Sequence, residues 1–239
     1  MSASPILALT SQRVMASRGE RPGAVLIRGE KILDVVPIQE IPSEISVEDV
    51  GNDIIMPGLV DTHVHINEPG RTDWEGFETA TKAAAAGGIT TLVDMPLNCI
   101  PVTTTVDALK QKLLATQGKL WVDCGFYGGL IPGNLQDLES LADAGVLGFK
   151  AFLSHSGIDE FPKISENHLR EALPIIAKKG LPLLVHAELE NGATTTKDHF
   201  TYKSFQDSRP KSWENNAVRL LIQLCQEYNT KIHIVHLSS

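Results

Sequence analysis

From residue 54 onward, short apolar runs alternate with longer segments, four of which end at glycine, and this alternation restricts the fold more than any other feature. Runs at 54–66, 90–95, 120–130, 147–153, 181–187 and 232–237 read as strands. The segments at 74–87, 104–117, 134–144, 165–179 and 212–228 read as helices. Asn134, Ser165 and Ser212 are the expected N-caps; Gly87, Gly118, Gly145 and Gly180 are the expected stops. Strands that alternate with helices predict a parallel sheet covered by helices. Such a series fits an open doubly wound sheet or most of an eight-stranded barrel. No Gly-x-Gly-x-x-Gly follows the first strand, so a dinucleotide fold lacks support. His63, His65, Asp94, Lys150, His186 and His236 fall near the C-terminal ends of the apolar runs, where barrel enzymes place their chemistry. The expected class is α/β: a TIM-like (β/α)8 barrel, with residues 56–239 supplying about six of its units.

Residues 1–55 follow another pattern. The run Ala24-Val-Leu-Ile27, the turn Arg28-Gly-Glu-Lys31 and the run Ile32-Leu-Asp-Val-Val36 predict a hairpin. The segment reads as a small antiparallel β unit, the N-terminal part of a small β domain. Alone it is too small to bury much surface.

The remaining composition removes several classes of function. A net charge of −8 without a basic run argues against nucleic acid as a partner. No apolar stretch is long enough to span a membrane, and residues 1–15 lack the features of a secretory signal. Three scattered cysteines, Cys99, Cys124 and Cys225, fit free thiols and a cytoplasmic location.

His63 and His65 are two residues apart in one strand, so they project from the same face and can grip one metal ion. His186 and His236 end two later apolar runs. His233, an odd number of residues before His236, is expected on the opposite face in a structural role; His155, His168 and His199 are expected at the surface. Lys150 lies inside the apolar strand Gly148-Phe-Lys-Ala-Phe-Leu153. A buried ammonium is costly, and desolvation lowers its pKa to leave a nucleophilic amine. That amine suits a Schiff base or a carbamate formed with carbon dioxide. Nearby histidines favour the carbamate, an anionic ligand able to bridge two cations.

The motifs Gly58-Leu-Val-Asp-Thr-His-Val-His65, Gly148-Phe-Lys150, Val185-His-Ala-Glu188 and Ile234-Val-His-Leu-Ser238 resemble those of the cyclic amidohydrolases, from about residue 20 to the end of the sequence. That group includes dihydroorotases, hydantoinases with dihydropyrimidinases, and allantoinases. The resemblance implies a metal-dependent hydrolase barrel with a small β-sandwich domain, two Zn²⁺ per subunit (Co²⁺ or Mn²⁺ as substitutes) and a carboxylated Lys150. It assigns His63 and His65 to the first cation, His186 and His236 to the second, and Lys150 to both. It also implies an Asp at the end of an eighth strand, as ligand and proton shuttle, and residues 1–239 offer no counterpart. The chain is therefore expected to be the N-terminal three quarters or so of its protein, inactive and aggregation-prone alone.

Dihydroorotases carry an Arg two residues past the second histidine; here that position is Asn67, which suits a neutral ring. The stretches 65–77, 94–101, 148–154 and 208–214 resemble allantoinases more closely than hydantoinases. The implied reaction is ring opening of allantoin to allantoate by metal-activated hydroxide, a step of purine breakdown. Asn67, Asn98 and His155 are the candidate substrate contacts, with His155 as a possible oxyanion donor. A small cyclic ureide is the implied substrate, and a homodimer or homotetramer the implied assembly. The rivals are a hydantoinase, dihydropyrimidinase or dihydroorotase-like enzyme, and a non-catalytic assembly protein on the same scaffold.

Overall fold

The structure, a computed structural model, describes residues 6–17, 19–190 and 201–239. The chain forms two compact units, Met1–Gly58 and Leu59–Ser239.

The first unit is one mixed sheet. Its centre is β1 (Ile6–Ala16), which pairs antiparallel with β2 (Gly19–Arg28). β3 (Lys31–Val36) continues the predicted hairpin antiparallel to β2. The chain then passes through a 3-10 turn at Ile38–Glu40. It returns as β4 (Ser46–Asp49) and β5 (Ile54–Ile55), both parallel to β1. The unit is thus mixed where the sequence suggested an antiparallel one. β1 itself escaped the sequence reading because its alternation breaks: the register with β2 shifts between Ser11 and Val14. At that break Ser11 is buried, and its hydroxyl meets the carbonyls of Gly51 and Asp53.

The second unit carries the strand–helix alternation. Its strands are β6 (Leu59–Val64), β7 (Ile89–Asp94), β8 (Asp123–Phe126), β9 (Gly128–Gly129), β10 (Phe149–Phe152), β11 (Pro182–His186) and β12 (Lys231–Ile234). Every pairing among them is parallel and joins neighbours in chain order. β8 and β9 are one strand bent at Tyr127: its first half pairs with β7 and its second with β10. The helices are α1 (Phe77–Ala86), α2 (Val106–Ala115), α3 (Leu138–Asp143), α4 (Glu166–Lys178), α5 (Tyr202–Asp207) and α6 (Lys211–Tyr228). Sequential parallel order without a reversal is the progression of a barrel rather than of a doubly wound sheet.

Helix ends follow local chemistry. Thr105 caps α2 by accepting from the Ala108 amide, and Ser165 forms a capping box with His168. Two expected caps are otherwise engaged. Asn134 precedes a 3-10 turn (Leu135–Asp137), and its buried amide instead ties Ile131, Thr104 and Gly129 together. Ser212 lies inside α6, which starts behind Pro210 because proline needs no amide partner at a helix entry. α6 buries Trp213, Ala217, Leu221 and Leu224, a stripe at helical spacing.

Alternation along the strands creates two apolar layers. Leu92, Phe149, Ala151, Leu183 and Val185 pack outward against helix residues such as Leu141, Leu173 and Leu221. Val93, Phe152, Leu184 and Val235 form the inner cluster with Met95 and Phe161. Lys150 lies between outward Phe149 and Ala151, so it points inward with Phe152. No described helix is long and apolar enough to cross a membrane.

Candidate metal centre

The inner face gathers the predicted residues. In the β10–β11 ladder, Lys150 pairs with Leu184 and Phe152 with His186, so all four share one side. The His186 ring stacks on Phe152 at 5.0 Å and 17°. The Lys150 Nζ lies 4.5 Å from the centre of the same phenyl ring. Phe152 therefore forms an apolar floor beneath both groups.

The four candidate histidines form a chain of close rings. His63 and His65 are 5.4 Å apart, His63 and His236 5.4 Å, and His186 and His236 4.8 Å, all between ring centres. His186 Nδ1 approaches His236 Nε2 to 3.4 Å. His63 is the last residue but one of β6, its amide donating to Asp61 Oδ1, and His65 follows just past the strand. His236 lies beyond β12, in a left-handed conformation at φ 40°. That turn changes the expected parity. His233 pairs in register with inward-facing Leu184, so it points to the same side as the cluster rather than away from it.

Electrostatics favour neutral donors. Burial, then the nearby Lys150, lowers the His63 pKa. Burial, then His63 and Lys150, depresses His65 to about 4. Burial, then Lys150 and His186, takes His236 to about 4 as well. Lys150 is 1% exposed, its Nζ has no hydrogen-bond partner, and burial lowers its pKa to about 7. His65 Nδ1 is likewise buried without a partner. Neutral imidazoles with free lone pairs and an unpartnered amine are the donor set that a divalent cation requires. Among the described residues no group of three or more His, Cys, Asp or Glu side chains converges as a metal site.

Several surrounding residues carry no role in the sequence reading. Glu188 Oε2 lies 2.9 Å from His186 Nε2 and accepts from Arg209 at 2.9 Å. Its place two residues past His186 was the available signal. Arg209 and Glu214 also line an open cavity of about 340 Å³ with His186, Glu188 and His236. Glu214 accepts the amide of Ser238, just beyond His236.

The substrate candidates are placed less uniformly. Asn67 is half-buried, and its carbonyl accepts the Arg71 amide at 2.9 Å. Asn98 is left-handed at φ 73°, and its carbonyl accepts from the Arg71 guanidinium. The His155 side-chain contacts are local: Nδ1 accepts from the Gly157 amide, and Nε2 faces Asp159 at 3.8 Å. His168 caps α4, and His199 lies outside the described residues.

Comparison with known proteins bears on this geometry. The profile described as "Amidohydrolase family" matches residues 54–237. An allantoinase of Streptomyces avermitilis is 49% identical over 236 residues, covering 98% of this chain and 53% of that protein. An allantoinase of Saccharomyces cerevisiae is 44% identical, with 98% and 55% covered. Among solved structures, L-hydantoinase (dihydropyrimidinase) from Arthrobacter aurescens superposes with a TM-score of 0.84 at 30% identity, covering 99% of this chain and 53% of that one. The chain thus spans about half the length of the curated relatives it matches, not the three quarters suggested by strand number. A strand–helix alternation, an inward cluster of histidines around a buried lysine and a profile match across nearly all of the second unit agree: the chain belongs to the amidohydrolase family.

Proposed function

We propose that the protein containing this chain hydrolyses allantoin to allantoate. The observation that carries this reading is Lys150: a buried, unpartnered amine set among four histidines, in a chain 49% and 44% identical to the Streptomyces and Saccharomyces allantoinases. An ammonium there would be destabilised, whereas a carbamate of the amine would be an anion suited to lie between two cations. His63 and His65 would hold one cation, His186 and His236 the other, and carboxylated Lys150 both. Zinc is the expected ion, two per subunit. When bound, such cations lower the pKa of water toward neutrality and polarise a carbonyl.

The chain's own residues supply orientation and exclusion of water. Phe152 and the inner cluster keep one side of the site apolar, and burial there lowers the Lys150 pKa to about 7, so that much of the amine is neutral at neutral pH. Glu188 fixes His186 through Nε2 and leaves Nδ1 facing His236. Asn67 offers a neutral amide to a ring bearing carbonyl and N–H groups. Asn98 and His155 are assigned as further substrate contacts, His155 as the oxyanion donor. Six sequential parallel strands would open an eight-stranded barrel, residues 56–239 being its first part and 1–55 the start of a small β-sandwich domain. A homo-oligomer in the cytoplasm completes the reading.

The test is direct. The purified full-length protein, assayed for carboxylate release, is expected to turn over allantoin faster than hydantoin or dihydrouracil. It should hold about two divalent ions per subunit and lose activity on chelation. Preference for hydantoin or dihydrouracil would favour the hydantoinase reading, for which the resemblance to the Arthrobacter enzyme is the supporting observation. No turnover and no bound metal would overturn both.

A further inference from the structure

We infer that the buried Asp94–Lys112 pair is a positioning device for His65. The inference rests on the reading of His65 as a metal ligand, and it assigns a task to two residues outside the proposed ligand set.

The backbone on both sides of His65 is clamped by the end of β7. The Val64 carbonyl accepts from the Met95 amide at 2.7 Å. The Ile66 amide donates to Asp94 Oδ1 at 2.7 Å. His65 therefore lies between two peptide groups, both fixed by residues 94 and 95. The Val64–Met95 bond is the last of the β6–β7 ladder, in which Val64 pairs with Asp94, and beyond it the Ile66 amide has no ladder acceptor. The Asp94 side chain replaces the missing backbone acceptor where the strand has ended. Ile66 is fully buried, so no water can take that role.

A carboxylate at 0% exposure needs a counter-charge. Lys112, 1% exposed and in the last turn of α2, supplies it. Its ammonium bonds Asp94 Oδ2 and also the Met95 carbonyl at 3.1 Å. The two oxygens of Asp94 are thus divided between the His65 segment and the helix. Lys112 Nζ anchors both residues of the clamp. A buried ion pair adds little net stability compared with apolar packing. What this pair provides is a charge-assisted, fixed acceptor for a single amide beside a candidate ligand.

The experiment uses the full-length enzyme and three proteins: wild type, Asp94→Ala, and Asp94→Asn combined with Lys112→Met. The double variant keeps an oxygen for the Ile66 amide and removes both charges. Three readouts are taken: zinc per subunit and its affinity against a chelator, hydrogen exchange of the 62–67 segment in metal-free protein, and kcat and KM separately. Asp94→Ala should weaken the binding of one of two zinc ions by about 10–100-fold. It should also speed exchange at Ile66 and lower kcat with KM unchanged. The double variant should recover zinc affinity to within about threefold of wild type, since the acceptor is restored. A folded Asp94→Ala protein with wild-type zinc affinity and slow Ile66 exchange would overturn the inference. So would a folded double variant as impaired as Asp94→Ala. If Asp94→Ala does not fold, the double variant alone decides. Wild-type protein that binds no divalent ion would instead sink the reading of the site itself.

Discussion

Replacing Lys150 with methionine should make the metal-free protein more stable while removing its activity. Methionine keeps the length and unbranched shape of the lysine stem, so packing against Phe152 is retained. What disappears is an amine that is 1% exposed and has no partner. Burial lowers its pKa from 10.5 to about 7. At about 1.4 kcal/mol per pH unit, and with the amine half protonated at pH 7, holding it in the fold costs about 4 kcal/mol. The sign follows from proton counting. Between pH 7 and 10.5 the unfolded chain keeps a proton that the folded chain has released, so wild-type stability rises with pH across that window. The methionine variant has no such group, and its advantage should shrink to below about 1 kcal/mol by pH 10.5. Urea unfolding in chelator-treated, bicarbonate-free buffer at pH 7 and pH 10.5 measures both differences. Equal stability at pH 7, or a less stable variant, would refute the premise that the amine is buried and unpaired.

Three other substitutions probe separate parts of the structure. Glu188→Ala removes the carboxylate 2.9 Å from His186 Nε2 and should lower metal affinity by about 10–100-fold, read by chelator competition. Ser165→Ala removes the capping box of α4 and should cost about 1 kcal/mol in urea unfolding, with kcat unchanged. Gly129→Ala would place a Cβ 2.5 Å from the Phe161 ring and 2.9 Å from Thr104 Cγ2, costing about 1–3 kcal/mol by the same measurement.

The second unit was legible in the sequence because its signals are local. Apolar runs and glycine stops marked the strands and most of the helices, although the short α5 (Tyr202–Asp207) went unread, and Lys150 stood out because nothing in its own strand could pair with it. The first unit was less legible. β1 holds a bulge, and its partners β4 and β5 lie more than thirty residues away, so no short window reveals the sheet. Caps failed where a long-range demand outbid a local one, as when the Asn134 amide turned to Thr104 and Gly129. The orientation of His233 was misjudged because parity counting assumes an unbroken strand, and the left-handed backbone at His236 breaks the count. Glu188 and Asp94 were visible as residues but not as partners. Their roles depend on which backbone or ring the fold brings to them.

The bend at Tyr127 has a consequence for how the second unit holds together. It divides the strands into a three-stranded and a four-stranded sheet, joined through one bent strand. His63 and His65 stand on the first sheet; Lys150, His186 and His236 belong to the second. A shared pair of cations would then be a cross-link, tying the strand that opens the unit to its last described one. Closing so long a loop restricts the unfolded chain more than a contact between neighbouring strands can. Metal loading should therefore raise the melting temperature and slow exchange in β6 and β12 together, as a staple does for two panels hinged at a single edge.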